Sequence, residues 1–162
     1  MNRYTLATLL STLAFAGAAH AAVLSESNLS MADAQKLATA TVAACQAKGY
    51  NVSAAVVDRA GLLKAFARAD NAGPHTIEAS RAKAYTAASA KTPTLAMLEN
   101  TQKNPGAATL TDIPGFLVLG GGVPIKAGNG VIGAIGVAGA PGGHLDAQCA
   151  EAVLEENAAL FK

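Results

Sequence analysis

The sequence predicts a single α+β domain, with a central antiparallel sheet of about five strands flanked by helices. Three observations lead there. Two β-type runs, 52–57 and 62–68, are separated by the turn-rich tetrapeptide Asp58-Arg59-Ala60-Gly61, which makes an antiparallel hairpin the natural connection. Three further short apolar runs, 116–119, 123–127 and 131–138, are divided by Gly120-Gly121-Gly122 and Gly128-Asn129-Gly130. Stretches with helical spacing precede, separate and follow these strands. The expected order is α-β-β-α-α-β-β-β-α, without an internal repeat or a linker that would divide domains.

Each element has its own local reason. Ser30 and Asp33 form a capping pair, able to satisfy free N–H groups of a first helical turn. Leu37, Thr41 and Cys45 then recur every four residues, with Ala38 and Val42 beside them, until Gly49 ends the helix. Asn71-Ala72-Gly73-Pro74 breaks the chain after the hairpin. The Ala-rich stretch 75–90 has helix propensity at almost every position. Thr92-Pro93 is expected to start a short helix over 94–102, with Thr92 as its cap, and Asn104-Pro105-Gly106 to close it. Asp146 is expected to cap a last helix running to Phe161, with Cys149, Val153 and Leu160 on one side.

The chain has 162 residues, 51% of them hydrophobic and 14% charged, with 16 Gly and no Trp. That balance excludes a disordered chain, which would be polar and strongly charged. A formal charge of +1 excludes a broad basic footprint for nucleic acid. Residues 1–21 read as a secretory signal peptide: Arg3 supplies the positive start, 4–16 the apolar run, and Ala19-His20-Ala21 the cleavage site. That segment falls short of the roughly 18–20 apolar residues a membrane span requires. The domain then occupies 22–162, has no later membrane span, and is expected in a periplasm or outside the cell. There, Cys45 and Cys149 are open to two readings, one disulfide or two buried thiols.

Candidate chemistry is sparse. The glycines at 120–122 are followed by Val-Pro-Ile, not by the Gly-Lys-Ser/Thr of a phosphate loop. Gly133, Gly136 and Gly139 fall inside a strand rather than after one, which argues against a dinucleotide fingerprint. Tight turns and close backbone approach explain them better. No local zinc motif and no Gly-x-Ser-x-Gly elbow occurs. His75 and His144 each follow a Gly/Pro-rich break near the expected start of a helix. Helix N-termini disfavour added positive charge, and a neutral imidazole there suits an axial iron ligand or an acid/base group. Asp58, Arg59, Arg68 and Asp70 flank the hairpin. An Arg can clamp a carboxylate, although turn formation and surface pairing explain these four more simply.

The pattern as a whole resembles the GlcG/HbpS-like family. It is carried by Val56-Val57-Asp58-Arg59-Ala60-Gly61, Arg68-Ala69-Asp70-Asn71-Ala72 and Ala82-Lys83-Ala84-Tyr85-Thr86-Ala87. Gly120-Gly121-Gly122-Val123-Pro124-Ile125, Val131-Ile132-Gly133-Ala134-Ile135-Gly136-Val137 and Asp146 complete it. Two departures stand out: Ala138 where many relatives have Ser, and Ala69 where a larger apolar residue is common. The resemblance implies a compact α+β fold, homo-oligomers, and haem or another planar tetrapyrrole as ligand in some members.

On that basis the expected function is exported haem binding for storage, relay or sensing, rather than catalysis. His75 and His144 are the candidate iron ligands. Arg68, Arg81, Lys83 or Lys126 would pair with the propionates, and the macrocycle would pack on Gly/Ala/Val surfaces that include Gly121 and Gly122. One alternative is an enzyme degrading haem, or acting on a small 2-hydroxy or 2-oxo acid held by Arg68 with His75 as base. Another is an accessory protein that binds a sensor or a transporter.

Overall fold

The computed structural model describes residues 23–162, so the expected signal peptide, 1–21, lies outside the described residues. Helix α1 (Met31–Gln46) starts as expected: Ser30 Oγ accepts the Asp33 amide at 3.1 Å. The hairpin of β1 (Ser53–Asp58) and β2 (Leu63–Arg68) follows. Asp58 makes its turn, accepting the amides of Ala60 and Leu62 through Oδ1 at 2.9 and 3.0 Å. Next come α2 (His75–Ala90), α3 (Thr94–Lys103) and a 3-10 helix, Pro105–Asp112. Strands β3 (Gly122–Ala127) and β4 (Gly130–Ala138) form a second hairpin, turning at Gly128 with φ +55°. Helix α4 (Gly143–Glu156) and a short 3-10 turn, Ala158–Phe161, end the chain.

The strands form one antiparallel sheet in the order β2-β1-β4-β3. The fold is α+β as expected, and among the described residues the sheet has four strands, one fewer than the about five expected. Residues 116–119 are the missing strand. Their backbone partners are side chains and near neighbours: Leu117 donates to Thr86 Oγ1, Leu119 donates to Leu117, and Leu119 accepts from Thr94 Oγ1. With those groups satisfied, the segment gains little from joining a sheet edge.

Two helix starts also differ. Pro93, not Thr92, stands at the cap of α3, and the Thr92 hydroxyl instead donates back to the Ala90 carbonyl at 3.0 Å. Helix α4 starts at Gly143, which places Asp146 inside its first turn and buries it.

The sheet is covered on both sides, which explains why all six residues of β1 are buried. Ala54, Val56, Ile135 and Val137 face α1 and α4 and build the larger core with Leu37, Ala38, Cys149 and Val153. Ala55, Val57 and Ala134 face α2 and meet Ala84, Ala87 and Ala88. Small residues on both surfaces bring α2 close to the sheet. Gly136 marks the nearest approach: a Cβ there would meet the Ser80 carbonyl, and the Ala84 amide nitrogen at 2.5 Å.

Cys45 and Cys149 resolve the open alternative. They form a disulfide between α1 and α4, with Cα atoms 5.5 Å apart and a sequence separation of 104. Among the described residues no helix is long and apolar enough to cross a membrane.

Two stability effects follow. Replacing both cysteines with Ala is expected to cost about 2–5 kcal/mol in denaturant unfolding, since the bridge closes a long loop. Gly136→Ala is expected to cost at least about 1–3 kcal/mol in the same assay, because backbone on the facing helix must move to admit the methyl group.

Candidate functional site

A cavity of ≈ 300 Å³ opens where the N-terminal half of α2 meets the start of α4. His75, Ala79 and Lys83 line it from α2; their spacing of four puts them on one helical face. Leu119 and the segment from Ala138 to Gly143 close other sides, and Asp146 contributes from α4.

The local sequence fixes this geometry. Thr76 Oγ1 donates to the Gly73 carbonyl at 2.6 Å and lies 2.7 Å from Ser53 Oγ, tying the start of α2 to β1. His75 projects as an exposed side chain with its imidazole over Gly73, where a Cβ would come within 2.8 Å of the ring. His144 repeats the arrangement over Gly142, next to the lining residues Gly142 and Gly143.

Two of the lining residues form a buried ion pair. Lys83 Nζ donates to Asp146 Oδ2 and to the Val137 carbonyl, both at 2.8 Å. The other carboxylate oxygen, Oδ1, accepts the Ala140 amide at 3.0 Å. Lys83 is 2% exposed and Asp146 3%. Loss of hydration raises the Asp146 pKa above the ordinary carboxylate value, outweighing the nearby Lys83 charge and the hydrogen bonds that favour ionisation.

The structure separates the remaining sequence candidates. Arg68 turns back on its own chain, donating Nε and Nη2 to the Ala72 carbonyl. Arg81 pairs with Glu78 on the exposed face of α2 at 2.8 Å. Neither lines the cavity. Lys126 lines a different groove, of ≈ 320 Å³, with Pro124, Leu154 and Phe161.

Gly121 and Gly122 are buried beside the ion pair rather than in the cavity wall. A Cβ on Gly121 would sit 2.8 Å from Asp146 Cβ and 3.0 Å from Lys83 Nζ, and one on Gly122 would meet the Lys83 carbonyl. Their role here is close packing. Among the described residues no group of three or more His, Cys, Asp or Glu side chains is placed to hold a metal ion. A haem iron, held by its porphyrin, needs only one or two protein ligands.

Sequence reasoning missed the Lys83–Asp146 pair, having read Asp146 as a cap and Lys83 as a partner for the haem propionates; its buried ammonium is instead committed to Asp146 and Val137. The available signal was a lone Lys within Ala82-Lys83-Ala84, on a helix face otherwise made of small residues.

The comparisons with known proteins agree with this architecture. The family model described as "Haem degrading protein HbpS-like" matches residues 29–155. The chain belongs to the HbpS-like family. Protein GlcG of Escherichia coli K12 is 37% identical over 107 residues, 64% of this chain and 78% of that one. A crystal structure of HbpS is 41% identical with TM-score 0.77, spanning 83% of this chain and 93% of the other. A crystal structure of a PduOC:heme complex is 25% identical with TM-score 0.70, spanning 79% and 94%. The family and these neighbours support a haem-related role for this HbpS-like chain.

The raised pKa has a definite sign. The folded chain holds the Asp146 proton more tightly than the unfolded chain, so this group favours the folded state as pH falls through its folded pKa. Its carboxyl carbon resonance is expected to titrate with a midpoint above the ordinary carboxylate value. The same titration of Lys83→Met, which removes the opposing charge, is expected to move that midpoint higher still.

Proposed function

We propose that this protein is exported and binds haem at the cavity between α2 and α4, to store, relay or sense it. The observation that carries the reading is His75: an exposed imidazole on the rim of a cavity whose other walls include Ala79, Leu119, Ala138 and Pro141. That donor set fits haem, which needs an imidazole for its iron and apolar surface for its macrocycle. His75 would coordinate the iron, with His144 as the alternative or second ligand beyond Gly142 and Gly143. Bound haem would supply redox or oxygen chemistry at its iron; the chain's part is to orient the ring and limit access of water. At ≈ 300 Å³ the cavity is at the small end of ligand sites, about 300–1,000 Å³. The ring would extend past the rim, where a second copy or a sensor or transporter partner would cover it.

Export is supported by the disulfide, which persists in oxidising compartments. The family description, with its reference to haem degradation, favours one second reading: an enzyme acting on haem at this same cavity. The small-acid alternative has less support, because the Arg68 donors Nε and Nη2 are committed to Ala72.

The test is an absorbance titration of residues 22–162 with ferric haem, alongside His75→Ala and His144→Ala. A saturable Soret shift at about one haem per chain is expected, with His75→Ala changing its position and weakening binding at least tenfold. A shift unchanged by either substitution would remove the histidines as ligands. No saturable shift at micromolar protein would remove haem. Loss of the Soret band on adding reductant, with release of a bile-pigment product, would favour the enzyme.

A further inference from the structure

We infer that Lys83 and Asp146 act as positioning residues: both line the cavity, and their polar atoms are committed to one another and to the backbone that forms its wall. The inference rests on the haem-binding reading for its ligand, while its geometry stands apart from it. Apart from Leu119, the cavity is lined from three structural units: α2, α4 and the end of β4 with the segment joining it to α4. Hydrogen bonds of this one pair reach all three. Lys83 belongs to α2 and donates to the carbonyl of Val137, near the end of β4. Asp146 belongs to α4 and holds the Ala140 amide, in the middle of the connecting segment. The 2.8 Å contact between them closes the link.

The surrounding backbone is shaped to admit it. Val137 donates its amide to the Gly121 carbonyl at 2.9 Å, so the strand residue that receives Lys83 is itself fixed. Gly121 has φ +119°, and any side chain there would collide with the Val137 carbonyl, Asp146 and Lys83 Nζ. Gly120 and Gly143 lie backbone to backbone: a Cβ on Gly143 would be 2.7 Å from the Gly120 carbonyl oxygen. The start of α4 is thus pressed against the glycine loop, and the segment from Gly139 to Gly142 bridges from there to β4. Ala140 is the point where the pair grips that bridge.

A buried ion pair seldom adds net stability over apolar residues of similar volume, since both charges must lose their hydration. Positioning is a role that apolar replacements cannot fill, because they offer no acceptor for the Ala140 amide. Stability and function are therefore separable by substitution.

The experiment compares the parent protein with an apolar double variant, Lys83→Met/Asp146→Leu, and with Lys83→Met/Asp146→Asn. It uses three readouts: thermal midpoint without ligand, hydrogen exchange of the amides at 140 and 142–144 without ligand, and ferric haem titration. The apolar double variant is expected to keep a midpoint within about 5 °C of the parent. Its amides at 140 and 142–144 should exchange at least tenfold faster while those of β1 stay unchanged, and its haem affinity should fall at least tenfold. Lys83→Met/Asp146→Asn keeps an acceptor for Ala140 without leaving a lone buried charge and is expected to retain protection there, which preserves the test if the apolar double variant fails to fold. Parent-like exchange at Ala140 in the folded apolar double variant would overturn the inference, as would loss of that protection in Lys83→Met/Asp146→Asn. Parent-like haem affinity with a loosened segment would overturn its bearing on the ligand. Absence of haem binding in the parent itself would sink the haem reading alone, since the exchange readout needs no ligand.

Discussion

An ammonium and a carboxylate removed together from water set the constraint on which this structure turns. The pair of Lys83 and Asp146 joins helices on opposite sides of the sheet, passing around its end where Gly121 leaves room for the lysine tip. Each charge needs the other, because either one left alone at that depth would face a large loss of hydration. That requirement fixes the approach of α2 to β4, and the approach in turn favours small residues over most of the face where the helix crosses the sheet, with Val57 the one larger side chain of that cluster. Ala55, Ala134 and Gly136 on the sheet, with Ala84, Ala87 and Ala88 on the helix, are the consequence. The low aromatic content of the chain, 4%, reflects the same closeness.

Much of the fold was legible in the sequence because local chemistry and tertiary packing agree there. The Asp58–Gly61 turn, the Ser30 cap, and the Ala-rich helix from His75 to Ala90 are instances. The failures have a common cause. Residues 116–119 have strand-like composition, yet distant hydroxyls at Thr86 and Thr94 occupy their backbone groups. Asp146 looks like a helix cap, yet its partner lies 63 residues away in sequence. Such long-range polar contacts have no periodic signature, so no reading of local spacing reveals them.

The candidate site was legible to a lesser degree. His75 was identifiable from its place after a Gly/Pro break, and the structure puts it on the cavity rim. The cavity's other walls were not, because Ala79, Leu119 and the 138–143 segment acquire meaning only once α2, the glycine loop and α4 meet. The three glycines at 120–122 drew attention as ligand-binding candidates for a sound compositional reason. Their actual neighbours are backbone and the buried pair, so the absence of side chains serves packing.

The disulfide has a further, topological consequence. It joins the first described helix to the last α-helix, converting most of the domain into a covalent ring of backbone closed at Cys45 and Cys149. A single backbone cut anywhere within that ring leaves two fragments still bound to each other. The stretch around Ala108 to Gly115, where most residues are exposed, lies well inside it. A peptidase that nicks this stretch severs the chain without releasing either piece.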